Sequence, residues 1–505
     1  MDAFLLLNPL FCFLAAAAFL AWLVLKRGCT NQQQGVQPPS PPRLPIFGNL
    51  HQLSALVHRS FHALGSKYGP IMLLHFGSQP VIIIQSSAAA AEIMKAHDLA
   101  FADRSTSRTI MKFVYNDKDI VFSPYGEYWR KLKSICVLQL LSSKCVQSFN
   151  FIREEETAVL VEKIKACCRC NSPVNLSELF TLFTNDMTCR ASFRKKYSEG
   201  EDGKRFLRLL TEVSQLLGTS NIGDFVPWLG WIDSITGFNR RVDRVAKEMD
   251  EFLEMVIQDH LNSRGSEIGE SGHGNPEDSF VSILLNVYRD NTIDRDSIKA
   301  IILDMLVAGT ESISAALEWT MTELLRHSNV MNKLKSEVRA ILKDKNHTIN
   351  ITYDDLEQMH YLRAVVKETL RLHPPTPFMG RLARQDVEVM GYDIPAGTAV
   401  FINFWAVGRD PATWDEPDTF KPERLIGSTI DFKGVDFELI PFGAGRRGCP
   451  GIGFTMANME LVLANLVCKF EWDLPNWEEL DIAEHRGLTV RKKNPLFAVA
   501  TVAQF

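Results

Sequence analysis

The chain has 505 residues, 46% of them hydrophobic and 23% charged, which is enough to bury a large core and far from a disordered composition. Its 55 basic and 60 acidic side chains give a net charge of −5, and no nucleic-acid motif is present, so binding of nucleic acid through bulk charge is excluded. Ten cysteines without regular spacing exclude a disulfide framework, in a chain too large to need one.

Ala3–Leu25 is apolar apart from Asn8, about enough for a helix across the hydrocarbon core of a bilayer. Asp2 precedes it and Lys26-Arg27 follow, which puts the C-terminal side in the cytoplasm. A cleaved signal peptide would need a basic leading region, which is missing, so an uncleaved anchor over residues 1–27 is favoured. Residues 28–50 form a linker that ends in the run Gln37-Pro-Pro-Ser-Pro-Pro-Arg-Leu-Pro45, an extended, semi-rigid spacer. A peptide ligand for an SH3-type domain is the competing reading of that run. No further linker interrupts the chain, so residues 51–505 read as one domain.

Ile71–Phe76 and Val81–Gln85 read as strands joined by a turn at Gly77-Ser78-Gln79-Pro80. Helical patterns dominate from Ser87 onward. Trp129 and Lys133 stand four apart on one helix face. Cys167, Cys168 and Cys170 lack a second ligand pair for zinc and read as free thiols in a reducing cytosol, where the Asn346-His-Thr348 sequon would go unused. Asp224–Ile232 is rich in aromatics. Core packing is slightly favoured there over a dip into a membrane interface. Asn262–Asp278 reads as a surface loop. A long helix runs from about Asp296 to Arg326, and Gly309 inside it predicts a distortion or a close approach. Glu368 and Arg371 share a helix face, with Arg424 available to join them in a charge-assisted network. Prolines in His373-Pro-Pro-Thr-Pro force an extended segment before Arg381. Val389–Ile394 and Thr398–Ile402 predict a small second sheet. The fold class is mainly α with small β-sheets (α+β).

The richest stretch is Phe442-Gly-Ala-Gly-Arg-Arg-Gly-Cys-Pro-Gly451. Its glycines keep side chains away from Cys449, so a flat cofactor can lie against the turn and backbone N–H groups can face the sulfur. Arg446 and Arg447 are expected to favour the thiolate. A thiolate held this way suits the axial position of heme iron.

Phe442, Gly445, Arg447, Cys449 and Gly451 resemble the heme-binding signature of the cytochrome P450 monooxygenases, and the resemblance runs from about Pro38 to the C-terminus. Its style is that of the plant A-type group, close to the family numbered 71. The resemblance implies the cytochrome P450 fold behind an N-terminal transmembrane helix, with the proline run as hinge. It implies heme b on Cys449, propionates held by Trp129, Lys133, Arg381 and Arg447, with Arg384 a weaker candidate than Arg381, and a buried triad of Glu368, Arg371 and Arg424. Ala308–Ser312 would be the oxygen groove, with Glu311 and Ser312 delivering protons. Ser312 stands where threonine is usual, and Lys133 where arginine is common. Phe113, Phe122, Ala308, Thr376, Phe378 and Leu488 would line the substrate pocket. NADPH would act only through a cytochrome P450 reductase, with cytochrome b5 an optional second donor, docking on the basic face of Arg130, Lys131, Lys133, Arg446 and Arg447. The expected reaction inserts one atom of O2 into a small lipophilic plant metabolite, in the endoplasmic reticulum membrane with the catalytic domain facing the cytoplasm. Two alternatives stay open. One is a reductase-independent isomerase or dehydratase, favoured only by Ser312-Ile313. The other is a non-enzymatic heme-thiolate sensor.

Overall fold

Helices carry most of the chain after Ser87, as the apolar periodicity predicts. The computed structural model describes residues 35–503 except 199, 220, 266–278, 344–350 and 476–479. The Ala3–Leu25 anchor, most of the Asn262–Asp278 loop and the Asn346 sequon therefore lie outside the described residues.

The helix α1 (Val57–Tyr68) leads into β1 (Ile71–Phe76), which pairs antiparallel with β2 (Gln79–Ile84), Ile71 opposite Ile84 and Phe76 opposite Gln79. The turn is shorter than predicted. Gly77, at φ +60°, turns the chain with Ser78 alone, and Gln79 and Pro80 already belong to the strand. β3 (Phe378–Leu382) and β4 (Ala399–Asn403) complete the sheet in the order β1-β2-β4-β3. β4 lies parallel to β2, with Val81 opposite Ala399, and so is not part of a second sheet with Val389–Ile394. That segment instead folds on itself as a hairpin, Val387–Val389 against Tyr392–Ile394. The reason is burial. Val400 and Ile402 are fully buried, and Phe401 packs its ring against Phe61 and Phe76 on the opposite face. A strand apolar on both faces suits the inside of a sheet rather than an edge.

The proline run is pinned along this sheet. Leu73 N donates to Pro39 O at 2.9 Å, His75 N donates to Asn49 Oδ1 at 2.8 Å, and Pro38 and Pro41 are buried.

Five further helices frame the interior: α2 (Glu127–Ile135), α3 (Leu176–Phe193), α4 (Gly200–Leu217), α5 (Arg295–Arg326) and α6 (His360–Leu372). A sixth, α7 (Ile452–Lys469), starts just after Cys449. α5 is capped by the Asp294 carboxylate, which accepts from Ser297 N at 2.8 Å. It is the one helix among the described residues long and apolar enough to cross a membrane, and 67% of its apolar window is buried in protein, as befits a core helix. Gly309 marks a close approach and leaves the helix regular: a Cβ there would lie 3.0 Å from Thr188 Oγ1 on α3.

The aromatic segment differs from the expectation of core packing. Trp228 and Trp231 are 63% and 58% exposed, because the short helices around them turn Val226 and Asp233 inward instead. Phe225 O and Gly77 are in close contact, and Gly77 N donates to Phe47 O, so exposed Ile46 and Phe47 of the hinge lie on the same side.

Candidate active site

The loop before α7 is built around two glycines at φ +67°, Gly443 and Gly445. At Gly445 no side chain would fit either, since a Cβ would sit 2.4 Å from Met94 O and 2.6 Å from Asp98 Oδ1. The loop closes with Cys449 N donating to Phe442 O at 2.9 Å, while Phe442 packs edge-on against Phe432. Gly451 N donates to Cys449 Sγ at 3.3 Å. The sulfur faces an internal cavity of about 1030 Å³. Around it the protein is dense, and this burial raises the thiol pKa, opposed by the Gly451 N–H and the charge of Lys133.

The arginines before Cys449 do not serve the sulfur as expected. Arg446 points outward, with Nη1 2.8 Å from Asp98 and its guanidinium beside Tyr125. Arg447 is buried and donates to Ala102 O at 2.6 Å and to Ser123 O. Its guanidinium stacks on Trp129, 4.3 Å from the ring centre. The two are held by nearby acceptors, and the sulfur has only a backbone N–H and Lys133 to favour the thiolate.

One wall of the cavity is strongly cationic. Arg381 is buried; Nη2 donates to Ala444 O at 3.0 Å, while Nη1 is buried with no partner. Burial holds its pKa down to about 9 and that of Arg447 to about 10. Arg104 joins them, donating to Val121 O at 3.0 Å and Gly380 O at 2.8 Å. Its own pKa is pushed well below the usual value by burial, then by the charges of Arg381 and Arg447. Sequence reasoning put the segment from Arg104 to Phe122 in the pocket wall but gave Arg104 no cationic role, since no local pattern in Phe101-Ala-Asp-Arg104 marks one. Trp129 and Lys133 border the same space; the indole N–H donates to Ile120 O at 2.9 Å and Lys133 Nζ to Gly448 O at 2.7 Å. Arg384 stays outside, paired with Asp103 at 3.2 Å. Three crowded guanidiniums and an unpartnered N–H fit the carboxylates of a large anionic cofactor, and heme propionates are of that kind.

A further part of the lining comes from α5. Ala308, Gly309 and Ser312 border the cavity, but the acid and the alcohol are not joined. Ser312 Oγ donates to Ala308 O at 2.6 Å within the helix. Glu311 accepts from Ser214 Oγ on α4 and lies 3.8 Å from Arg491. Phe113, Phe122, Thr376, Phe378 and Leu488 also border the cavity. Asp304 is a further acid in this lining that sequence reasoning passed over. It accepts from Ile120 N at 2.9 Å, and burial together with neighbouring Asp119 raises its pKa well above the usual range.

Glu368, Arg371 and Arg424 meet behind the loop. Arg371 forks onto Glu368 with two bonds of 2.8 Å, and Arg424 Nε reaches the same carboxylate at 3.0 Å. Arg371 Nη1 also donates to Gly408 O and Pro417 O, which fixes the segment leading toward Cys449. Of the basic face, Arg130, Lys131 and Arg446 are exposed, while Lys133 and Arg447 turn inward. Among the described residues no cluster of three or more His, Cys, Asp or Glu is placed to hold a metal ion, and Cys167, Cys168 and Cys170 are free thiols.

A single cysteine sulfur bordering a large cavity that three guanidiniums also line, in a mainly helical protein, fits a heme-thiolate architecture. Residues 38–499 match the model of the cytochrome P450 family, and the chain belongs to that family. It is 53% identical to cytochrome P450 71A8 of Mentha piperita over 92% of this chain and 90% of that protein. It is 51% identical to cytochrome P450 736A117 of Prunus mume, covering 98% and 96%, and 48% identical to the tabersonine/lochnericine 19-hydroxylase of Catharanthus roseus, covering 92% of each. A zebrafish cytochrome P450 solved with abiraterone shares the fold at a TM-score of 0.74 and 22% identity, over 90% of this chain and all of that one. The chain is thus a plant-type cytochrome P450 monooxygenase, an enzyme of a family that carries heme on a cysteine thiolate.

Proposed function

We propose that this enzyme inserts one atom of O2 into a small lipophilic plant specialised metabolite, a terpenoid, alkaloid or phenolic, with electrons from NADPH delivered by a cytochrome P450 reductase. The observation that carries the reading is that Cys449 borders the same large cavity as Ala308 and Gly309. The C. roseus 19-hydroxylase and the norfluorocurarine oxidase of Strychnos, 45% identical over 97% of this chain, support an alkaloid among the candidates.

Heme bound here would supply O2 activation, and its iron would take the sulfur of Cys449. Arg104, Arg381, Arg447 and Lys133 would hold its propionates, with Trp129 bracing Arg447 from below. The Gly451 N–H draws charge from the sulfur and so tempers its electron donation. Phe113, Phe122, Phe378 and Leu488 exclude water and hold an apolar substrate against the groove, with Thr376 adding a hydroxyl. Ser312 keeps an acceptor lone pair toward the groove while its proton serves Ala308 O. Glu311 would reach the groove after leaving Ser214 and Arg491. Arg130, Lys131 and Arg446 form the cationic surface for the reductase or cytochrome b5. Trp228, Trp231, Ile46 and Phe47 would rest at the endoplasmic reticulum membrane, as suits tryptophan, on the side where the anchor joins the hinge.

Reconstitution with reductase, NADPH and 18O2 tests this. Product carrying one labelled atom is the expected result. Product formed without reductase would overturn it in favour of an isomerase or dehydratase, and a ferric heme that binds ligands but never turns over would favour a sensor.

A further inference from the structure

A line of polar side chains between α3 and α5 has no part in the roles above. The two helices run antiparallel, and their polar pairs keep one register. Ser177 Oγ donates to Glu318 Oε1, and four residues further along each helix Thr181 Oγ1 and Ser314 Oγ lie 3.1 Å apart, Ser314 donating while Thr181 Oγ1 bonds back to Ser177 O at 2.9 Å. The next turn of the same register sets Thr310 opposite Asn185. Beyond it Thr188 presses on Gly309.

The middle of this line is short of partners. Asn185 Nδ2, Thr310 Oγ1 and Thr188 Oγ1 are each buried without a hydrogen-bond partner in the protein. The three residues are 0%, 2% and 1% exposed. Neighbouring Thr184 shows the ordinary solution, bonding back to Phe180 O at 2.9 Å. Buried polar groups are almost always satisfied, and where protein does not satisfy them ordered water does. One end of the line meets the cavity and the other nears the surface only at Ser177. Thr188 and Gly309 border the large cavity. At the other end Ser177 is half-buried, and Glu318 accepts from Lys492 N. Burial raises the Glu318 pKa, which helps it to keep a proton. On α5 itself the acid and the alcohol are apart, Ser312 donating to Ala308 O and Glu311 accepting from Ser214 Oγ, so the seam would be a second route beside Ser312.

We propose that the α3–α5 seam holds ordered water and conducts protons from Glu318, past Thr181 and Asn185, to the cavity at Thr188 and Gly309. Each hydroxyl or water gives one proton forward and receives one from behind, and Glu318 is reprotonated from solvent, so no charge is left in the seam. Its use in turnover rests on the monooxygenase reading; its hydration does not.

A high-resolution structure of the heme-loaded protein should place water within hydrogen-bond distance of Asn185 Nδ2, Thr310 Oγ1 and Thr188 Oγ1. Thr188→Val should leave the unfolding midpoint unchanged or lower it. A dry seam would instead lose an unpaired hydroxyl, and the midpoint would rise. Glu318→Gln and Asn185→Leu should keep the ferrous carbon-monoxide spectrum of the parent while the share of NADPH lost to peroxide rises severalfold. Should Asn185→Leu fail to fold, Glu318→Gln decides alone. A seam without water, or coupling equal to the parent in a folded variant, overturns the proposal. If the parent itself never turns over with reductase, the monooxygenase reading fails, and the water and the Thr188→Val midpoint still decide whether the seam is hydrated.

Discussion

Gly445 meets two demands that any other residue fails. Its φ of +67° lies in the left-handed region, and Met94 O and Asp98 occupy the space a side chain would need. Gly445→Ala should therefore cost about 1–3 kcal/mol. The expected outcome is a lower unfolding midpoint with reduced heme content, because the strained loop carries Cys449. An alanine variant with parental midpoint and heme content would show that the loop relaxes freely. Ser312 poses a different case, a serine where the resemblance leads one to expect threonine. Its hydroxyl donates to Ala308 O and can only accept from the cavity. Ser312→Ala should raise peroxide release per NADPH severalfold, while Ser312→Thr should keep or improve coupling, because the added methyl fixes the rotamer. Equal coupling in the alanine variant would remove Ser312 from proton delivery.

At the scale of elements, α6 matters because it holds the segment before Cys449 from behind. Glu368 is fully buried and accepts from Arg371, Arg424 and Lys421 N together. Taking its charge away leaves two guanidiniums in the interior without a counter-ion. Glu368→Gln should cost about 3–5 kcal/mol, far more than an exposed helix pair of the same spacing. Thermal unfolding measures the loss. The red-shifted ferrous carbon-monoxide band should fade with it, since Arg371 also fixes Gly408 and Pro417 through their carbonyls.

Over the whole molecule, Glu484 ties the C-terminal region to the first helix. It accepts from His58 Nε2 at 3.1 Å and Arg59 Nε at 2.7 Å on α1, with its side chain only 2% exposed. Burial alone would raise its pKa, but the His58 and Arg59 donors outweigh it and hold the carboxyl at about 2, against 4.5 unfolded. A depressed carboxyl stabilises the fold above the unfolded pKa and loses that contribution as pH falls from 4.5 toward 2. The amount is about 3 kcal/mol. Denaturant unfolding across that range should show a steep acid loss that Glu484→Gln flattens. An unchanged slope in the variant would assign the acid loss to other groups.

The sequence alone determined what depends on near neighbours. Glycines around Cys449, the i and i+3 spacing of Glu368 and Arg371, and the apolar run from about Asp296 to Arg326 can each be read within a few residues, because backbone freedom and helix periodicity are local. The resemblance to the family was legible in the same short motifs. Tertiary structure decided what depends on partners distant along the chain. Arg104 became part of the cationic wall only when Gly380 and Val121 came beside it. Glu311 turned to Ser214 and Arg491, and Ser312 to its own helix, so an acid and an alcohol adjacent in sequence ended apart. β4 chose β2 over its neighbouring hairpin because both of its faces had to be buried. Trp228 and Trp231 stayed outside because Val226 and Asp233 took the interior. In each case the side chain's identity was legible and its direction was not, since direction is set by which competing contacts fill the available space.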